Sequence, residues 1–183
     1  MTATLATISE VPPALIRRPL EWFASEHYRH RQFCALMHEL AHADTFDAAT
    51  VAGVVDFLRE ELGRHLKDEE EDLFPLLRRR ARAEDDVDQV LGRLASEHKG
   101  DLAHGQALRT HLERRLADKT PPGRDRATRV ALDAFASQEL RHLALENAVV
   151  LPLAKLRLTA RDLKALSRRL AARRGIQLRP EPG

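Results

Sequence analysis

The 183-residue chain has very little of what marks a secreted or membrane-spanning protein. It contains one cysteine, Cys34, so no disulfide can form within it, and a lone thiol fits a reducing compartment. No apolar run approaches the roughly 20 residues that cross a bilayer. The opening MTATLATISEVPP lacks the basic-then-apolar pattern of a secretory signal. We therefore expect a cytoplasmic protein with no membrane partner.

The chain also lacks the charge excess and the aromatic residues of a nucleic-acid reader. Its 30 Lys and Arg residues nearly balance 28 Asp and Glu residues, and aromatic residues make up only 4%. Basic residues cluster locally, as in RRR at 78–80, but such clusters at helix C-terminal ends usually serve the helix dipole and solubility. We expect no nucleic-acid partner. The sequence leaves the oligomeric state open.

No segment alternates between apolar and polar residues as a half-buried strand would. Apolar residues instead recur at helical spacing over four long segments, at about 20–42, 46–81, 85–118 and 125–156, and over a shorter one at about 160–173. This pattern predicts an all-α fold, an up-down-up-down four-helix bundle with a short C-terminal fifth helix. The predicted divisions are a flexible N-terminal lead-in at 1–18, the bundle at 19–157, and the C-terminal helix and tail at 158–183.

The most informative feature is a pair of motifs that each occur twice. The tetrapeptide ASEH stands at 24–27 and at 95–98, and HL-x-x-E stands at 65–69 and at 142–146. In both copies of the longer motif a proline follows the histidine by ten residues, at Pro75 and Pro152. Six residues of these motifs, called the repeated polar residues below, are His27, His65, Glu69, His98, His142 and Glu146. Two like ligand sets, each split over two helices, are what a two-metal site in a bundle of duplicated helix pairs would need.

These six residues have the chemistry of a metal site. Because residues four apart on a helix share a face, each His-x-x-x-Glu pair can reach one metal or two adjacent ones. Imidazole combined with carboxylate suits iron, manganese or zinc rather than calcium or magnesium. If the two carboxylates bridge two metals, each metal receives about two imidazoles and two carboxylate oxygens. That leaves an open position for water or for a small ligand such as dioxygen.

Each motif taken alone has a simpler interpretation. The first His-x-x-x-Glu pair runs into the acidic stretch KDEEED at 67–72, which is typical of a solvated helix face. The second pair lies among apolar residues such as Leu143 and Val149, where buried polar side chains would need partners. The second copy and the two ASEH segments together favour metal binding.

In this order the motifs resemble those of the hemerythrin-like, HHE cation-binding family, over about 20–156. The matching marks are LEWFASEH, HL-x-x-EEEDLFP, the second ASEH, and H-x-x-x-E with a following LP. The resemblance implies a four-helix bundle with two non-heme irons, in which Glu69 and Glu146 bridge the metals; zinc or manganese are the alternative metals. It also implies a small diatomic ligand or peroxide, since members carry, store or sense dioxygen, or respond to iron, nitric oxide or peroxide.

The chain departs from dioxygen-carrying members of that family at two positions. Leu102 stands where their third helix has a second histidine, four residues after His98. Asn147 stands where their last carboxylate lies, so Glu146 takes that role here. A more open centre favours redox cycling, peroxide or nitric oxide chemistry, or sensing over reversible dioxygen carriage. We therefore expect a metal-binding or sensing protein more than a dedicated enzyme, with peroxidase-like activity as the enzymatic alternative.

Other polar residues near the six leave alternatives open. His30 could replace His27 as a ligand if the first helix is rotated, since the two are three residues apart. Asp101 is the best candidate for a seventh ligand. Glu26 and Glu97 precede ligand histidines and could orient their rings, although an exposed carboxylate is the simpler interpretation.

Two other functions remain open from the sequence. A ferritin-like oxidase or peroxidase would use Glu-x-x-His twice, and the chain has Glu39-x-x-His42 and Glu139-x-x-His142, although His42 lies at the wrong end of its helix. A structural helical module that binds zinc or no metal is the other. Cys34 is by default a buried small hydrophobic residue, with redox sensing as the less favoured alternative.

Overall fold

The computed structural model describes residues 8–178, and every regular element in that range is helical. The all-α prediction is confirmed at that level. No helix in the described range is both long and apolar enough to cross a membrane. The start of the predicted lead-in, 1–7, and the end of the predicted tail, 179–183, lie outside the described residues.

Five helices carry the fold, and their bounds lie within a few residues of those predicted. They are α1 at Pro19–His42, α2 at 48–80, α3 at Val87–Asp118, α4 at 126–157 and α5 at Ala160–Arg173. Short 3-10 turns precede three of them, at Pro13–Arg17, Ala83–Asp85 and Pro122–Arg124. The first of these turns buries Ile16, whose carbonyl oxygen accepts a hydrogen bond from the α5 hydroxyl of Ser167 at 2.6 Å.

Aspartate side chains fix where α2 and α4 begin. Asp47 Oδ1 accepts hydrogen bonds from the backbone N–H groups of Ala49 at 2.9 Å and Thr50 at 3.2 Å, so α2 starts directly after it. Asp125 caps α4 through the N–H of Thr128 at 2.9 Å. Each cap satisfies N–H groups that have no partner within the first helical turn.

Two of the helices widen where the longer motif occurs. The segments of α2 are Ala48–Asp56, the π turn Phe57–Glu61, Leu62–Lys67, the π turn Asp68–Leu73, and Phe74–Arg80. The segments of α4 are Arg126–Leu145, the π turn Glu146–Val150, and Leu151–Arg157. At both motifs the N–H before the proline donates to a carbonyl oxygen five residues earlier, that of Glu69 in α2 and of Glu146 in α4. Pro75 and Pro152 lack an N–H, and their rings crowd the carbonyl four residues back, which a wider turn relieves.

Two hydrophobic cores fill the bundle, one on each side of the repeated polar residues. The first joins the C-terminal halves of α1 and α3 with the N-terminal halves of α2 and α4. The second joins the opposite halves of these helices with α5. Around the bundle, α1 packs against α2 and α4, and α3 packs against the same two helices. The repeated polar residues are therefore enclosed between two apolar layers.

Helix α5 is attached to the acidic stretch of α2 by ion pairs. Arg173 contacts Asp68 at 2.8 Å and Asp72 at 2.7 Å, and Arg174 contacts Asp68 at 2.6 Å. Both aspartates are buried, at 1% and 4% exposed. The stretch that sequence alone could assign to a solvated face is thus partly buried, and it ties the π turn of α2 to α5.

Candidate metal centre

The six repeated polar residues meet between the two cores, and each is at most 2% exposed. Their possible ligand atoms form two groups, one of His27, His65, Glu69 and Glu146, the other of Glu69, His98, His142 and Glu146. Within each group the four atoms lie within 4.8 Å of one another. Since Glu69 and Glu146 belong to both groups, the geometry suits two adjacent cations that share two carboxylates.

Glu69 and Glu146 each direct one carboxylate oxygen to the first ligand group and the other oxygen to the second. Glu69 Oε1 lies 3.5 Å from His27 Nε2 and 3.6 Å from His65 Nε2, whereas its Oε2 lies 3.5 Å from His98 Nε2. Glu146 Oε2 lies 3.5 Å from His27 Nε2, whereas its Oε1 lies 2.7 Å from His142 Nε2. A carboxylate that presents different oxygens to two ligand sets has the arrangement of a bridging ligand.

Several buried atoms of the centre have no hydrogen-bond partner in the described structure. They include both ring nitrogens of His27, both carboxylate oxygens of Glu69, and Oε2 of Glu146. Buried polar atoms are nearly always satisfied, because leaving one without a partner costs about 1–3 kcal/mol. Cations at the two groups would satisfy the carboxylate oxygens and the lone pair of His27 Nε2, so the residues present fit a metal pair.

The pKa values of the charged residues in the centre are strongly shifted. Burial, followed by the neighbouring carboxylate of Glu146, raises the pKa of Glu69 to about 7. Burial would also raise the pKa of Glu146, but hydrogen bonds with His142 and His98 hold it well below its usual range. Burial would lower the pKa of His142, but its hydrogen bond with Glu146 raises it to about 9. Two anionic groups this close need positive charge between them, which protons or a metal can supply.

A second layer of carboxylates stands behind the histidines of the second group. Glu70 Oε1 lies 2.7 Å from His98 Nδ1, and the second ring nitrogen of His142, Nδ1, lies 3.6 Å from both Glu97 and Asp101. The carboxylate on His98 Nδ1 fixes the proton there and leaves the Nε2 lone pair for a metal. Glu97 lies beyond hydrogen-bond distance of His142 Nδ1, which has no hydrogen-bond partner in the described structure, so the orienting role considered for Glu97 stays a prediction.

Asp101 does not lie where a seventh ligand would. Its carboxylate is behind the His142 ring, on the Nδ1 side, and it belongs to neither group of ligand atoms. Burial and the nearby carboxylate of Glu139 raise its pKa to about 6. The geometry therefore favours an outer position for Asp101.

His30 and Glu26 also lie apart from the two groups. His30 Nδ1 is 2.6 Å from Glu139 Oε1, and both residues are buried. Glu26 and His30 form a separate group of three with His65. His27, and not His30, is thus the α1 histidine that faces Glu69 and Glu146.

The remaining residues with possible metal or redox roles lie elsewhere. His38 Nδ1 and His42 Nε2 both contact Asp133, at 2.9 and 3.4 Å, and both side chains are exposed by more than a third. The Glu39-x-x-His42 pair of the ferritin-like alternative therefore does not reach the centre. Cys34 is fully buried, and burial raises the pKa of its thiol, which makes it a poor redox sensor.

Sequence reasoning missed two carboxylates that contact histidines of this region. Glu70 follows Glu69 directly, so its position on the helix, about 100° away, indicated solvent. Glu139 was considered only as part of a ferritin-like pair. One signal was available: His30 lies three residues after His27, and Glu139 lies three residues before His142. On two neighbouring helices that run in opposite directions, an offset of three residues forward on one and three residues back on the other moves both residues towards the same end of the bundle.

A helical bundle with two buried histidine and glutamate groups of this kind defines a metal-binding helical protein. The comparison with protein families agrees with that class and narrows it. Residues 18–154 match the model of the hemerythrin HHE cation-binding domain. The chain belongs to this family, which confirms the resemblance inferred from its motifs. A search of curated proteins found no match.

Proposed function

We propose that the chain holds two non-heme irons and uses them to bind, sense or process dioxygen or a related ligand such as nitric oxide or peroxide. The observation that carries this proposal is the pair of ligand groups that share Glu69 and Glu146. Both metals would share these two glutamates as ligands. His27 and His65 would hold one metal, and His98 and His142 would hold the other.

Bound irons would supply redox electrons and an open coordination position, and the chain supplies the surroundings. Phe74 stacks on the His98 ring at 5.7 Å, and Phe23 lies 6.5 Å from the ring of His27 and 6.3 Å from that of His65. Both phenylalanines are at most 1% exposed. Apolar rings against the ligand histidines exclude water and favour a small, weakly hydrated ligand.

Several further expectations belong to this proposal. The two cores pair opposite halves of successive helices, which supports the up-down-up-down direction of α1–α4 with α5 added at one end. We propose a cytoplasmic protein that acts without nucleic acid. Zinc at a structural site is the main alternative for the metal, because imidazole and carboxylate also suit zinc.

Metal analysis of the purified chain tests the proposal. From iron-replete cells we expect about two irons per chain, with near-ultraviolet absorption of a bridged iron pair. The change His142→Ala removes a terminal ligand and should lose iron, whereas the matched change His38→Ala, at the Asp133 contact, should keep it. Zinc alone would favour the structural alternative. Equal iron retention by both variants would show that the ligand set is wrong.

A further inference from the structure

A third group of possible metal ligands lies beside the proposed centre. One atom each of Glu26, His30 and His65 falls within 4.8 Å of the other two. All three residues are buried, at 2%, 0% and 2% exposed. Two histidines and one carboxylate are a donor set that suits a divalent transition-metal ion.

The His30 ring is arranged like that of a metal-binding histidine. Its Nδ1 lies 2.6 Å from the carboxylate of Glu139, which fixes the proton on that nitrogen. The other nitrogen, Nε2, is buried and has no hydrogen-bond partner in the described structure. His65 Nδ1 is buried and without a partner as well. Two unsatisfied imidazole nitrogens in one small group need an occupant.

The two arginines beside Glu26 are shared with other carboxylates. Glu26 contacts Arg29 at 3.2 Å and Arg174 at 3.9 Å, but both guanidinium groups are shared. Arg29 also contacts Glu61 at 3.3 Å, and Arg174 lies closer to Asp68, at 2.6 Å. Neither arginine is therefore committed to Glu26 alone, and Glu139 adds a carboxylate behind His30.

A surface cleft reaches this group at Glu26. It has a volume of about 300 Å³, and its charged lining consists of Glu10, Glu26 and Glu61 with Arg29, Arg64 and Arg174. Glu26 is therefore the contact between the cleft and the buried histidines. An ion that enters the cleft therefore meets the carboxylate of Glu26 before the two imidazoles.

The position of His65 connects this group to the proposed centre. Its Nε2 lies 3.6 Å from Glu69 Oε1, and the same residue belongs to the group with Glu26 and His30. A neutral imidazole has one lone pair and one N–H, so it ligates through one nitrogen at a time. We propose that Glu26, His30 and His65 form a loading site, which holds a divalent transition-metal ion before His65 passes it to the two-metal centre. This inference rests on the proposed function in one respect, that the ion ends at the two-metal centre.

Rapid mixing of the metal-free chain with Co²⁺ alone tests the loading site, with visible Co²⁺ absorption as the signal. The variant His30→Ala removes one ligand of the site, and Glu26→Gln removes its charge without leaving a cavity. The matched controls on the same helix are His38→Ala and Glu39→Gln. We expect both test variants to reach the final absorption and the two ions per chain of the unmodified protein, about tenfold more slowly, and the controls to load at the unmodified rate.

The outcomes separate this inference from the proposed function. Equal loading rates in all variants would overturn the loading site. They would indicate that Glu26, His30 and His65 enclose only water. A changed final spectrum or a lower metal content in His30→Ala would also overturn it, because His30 would then be a permanent ligand. An unmodified chain that took up no Co²⁺ would overturn the two-metal centre together with the loading site.

Discussion

Glu70 offers the sharpest test of how the chain holds its second metal. Its carboxylate lies 2.7 Å from His98 Nδ1, and its side chain is 38% exposed, so Glu70→Ala removes the contact without opening a cavity. Without that carboxylate the His98 proton is free to occupy either ring nitrogen, and the ring is less firmly held. Loss of such an outer partner typically weakens metal binding 10- to 100-fold, which is about 1.4–2.7 kcal/mol.

The neighbouring residue provides the control for this experiment. Glu71 lies in the same π turn and is 58% exposed, but it contacts Arg173 at 2.9 Å and no ligand histidine. Competition with a calibrated chelator would give the affinity for Zn²⁺ in the unmodified chain, Glu70→Ala and Glu71→Ala. We expect Glu70→Ala to lose affinity for one of two ions and Glu71→Ala to lose none. Equal affinities in the two variants would refute the idea that Glu70 acts through His98.

Two further predictions concern the stability of the fold. Arg80 contacts Asp162 at 2.7 Å and holds the pKa of this carboxyl below its usual range, so the carboxylate stabilises the fold above about pH 4. Asp162→Asn should therefore cost about 2 kcal/mol of unfolding free energy at pH 7. In thermal melts, the difference in stability between this variant and the unmodified chain should shrink as the pH falls from 4 to 2. A difference that grew on acidification would contradict this. A Cβ at Gly123 would collide with the backbone carbonyl of Ala41, so Gly123→Ala should cost about 1–3 kcal/mol in denaturant titrations, and an unchanged midpoint would show that the turn shifts freely.

Helical periodicity and the repeated spacing were sufficient to predict which residues would meet. A spacing of four places His65 and Glu69 on one face, and the second copy does the same for His142 and Glu146. Because a bundle directs one face of each helix to its axis, these pairs and the two ASEH histidines could be expected at one level. The structure brings them into two groups that share the glutamates.

Contacts between helices were beyond such reasoning, because they depend on how far each helix is rotated. Asp101 is three residues from His98, and a small rotation of α3 decides whether its carboxylate points at a metal or at the back of the His142 ring. The structure shows the latter. Likewise, the sequence indicates solvent-exposed positions for Asp68 and Asp72, whereas in the structure Arg173 of α5 packs against both.

The proline of the longer motif contributes to the centre as the ligands do. In a regular α-helix the carbonyl of Glu69 would accept from the N–H four residues later, but here it accepts from the fifth, and the same holds for Glu146. One extra residue in the turn rotates the following segment by about 100° relative to an unbroken helix. Helix α2 can therefore turn Glu69 towards the metal centre and, beyond the π turn, Leu76 and Leu77 into the second core. Pro75 and Pro152 stand at the same distance from their histidines, so α2 and α4 change the face they present to the interior at the same point of the motif. For this reason a polar centre and an adjoining apolar core can lie on the same two helices.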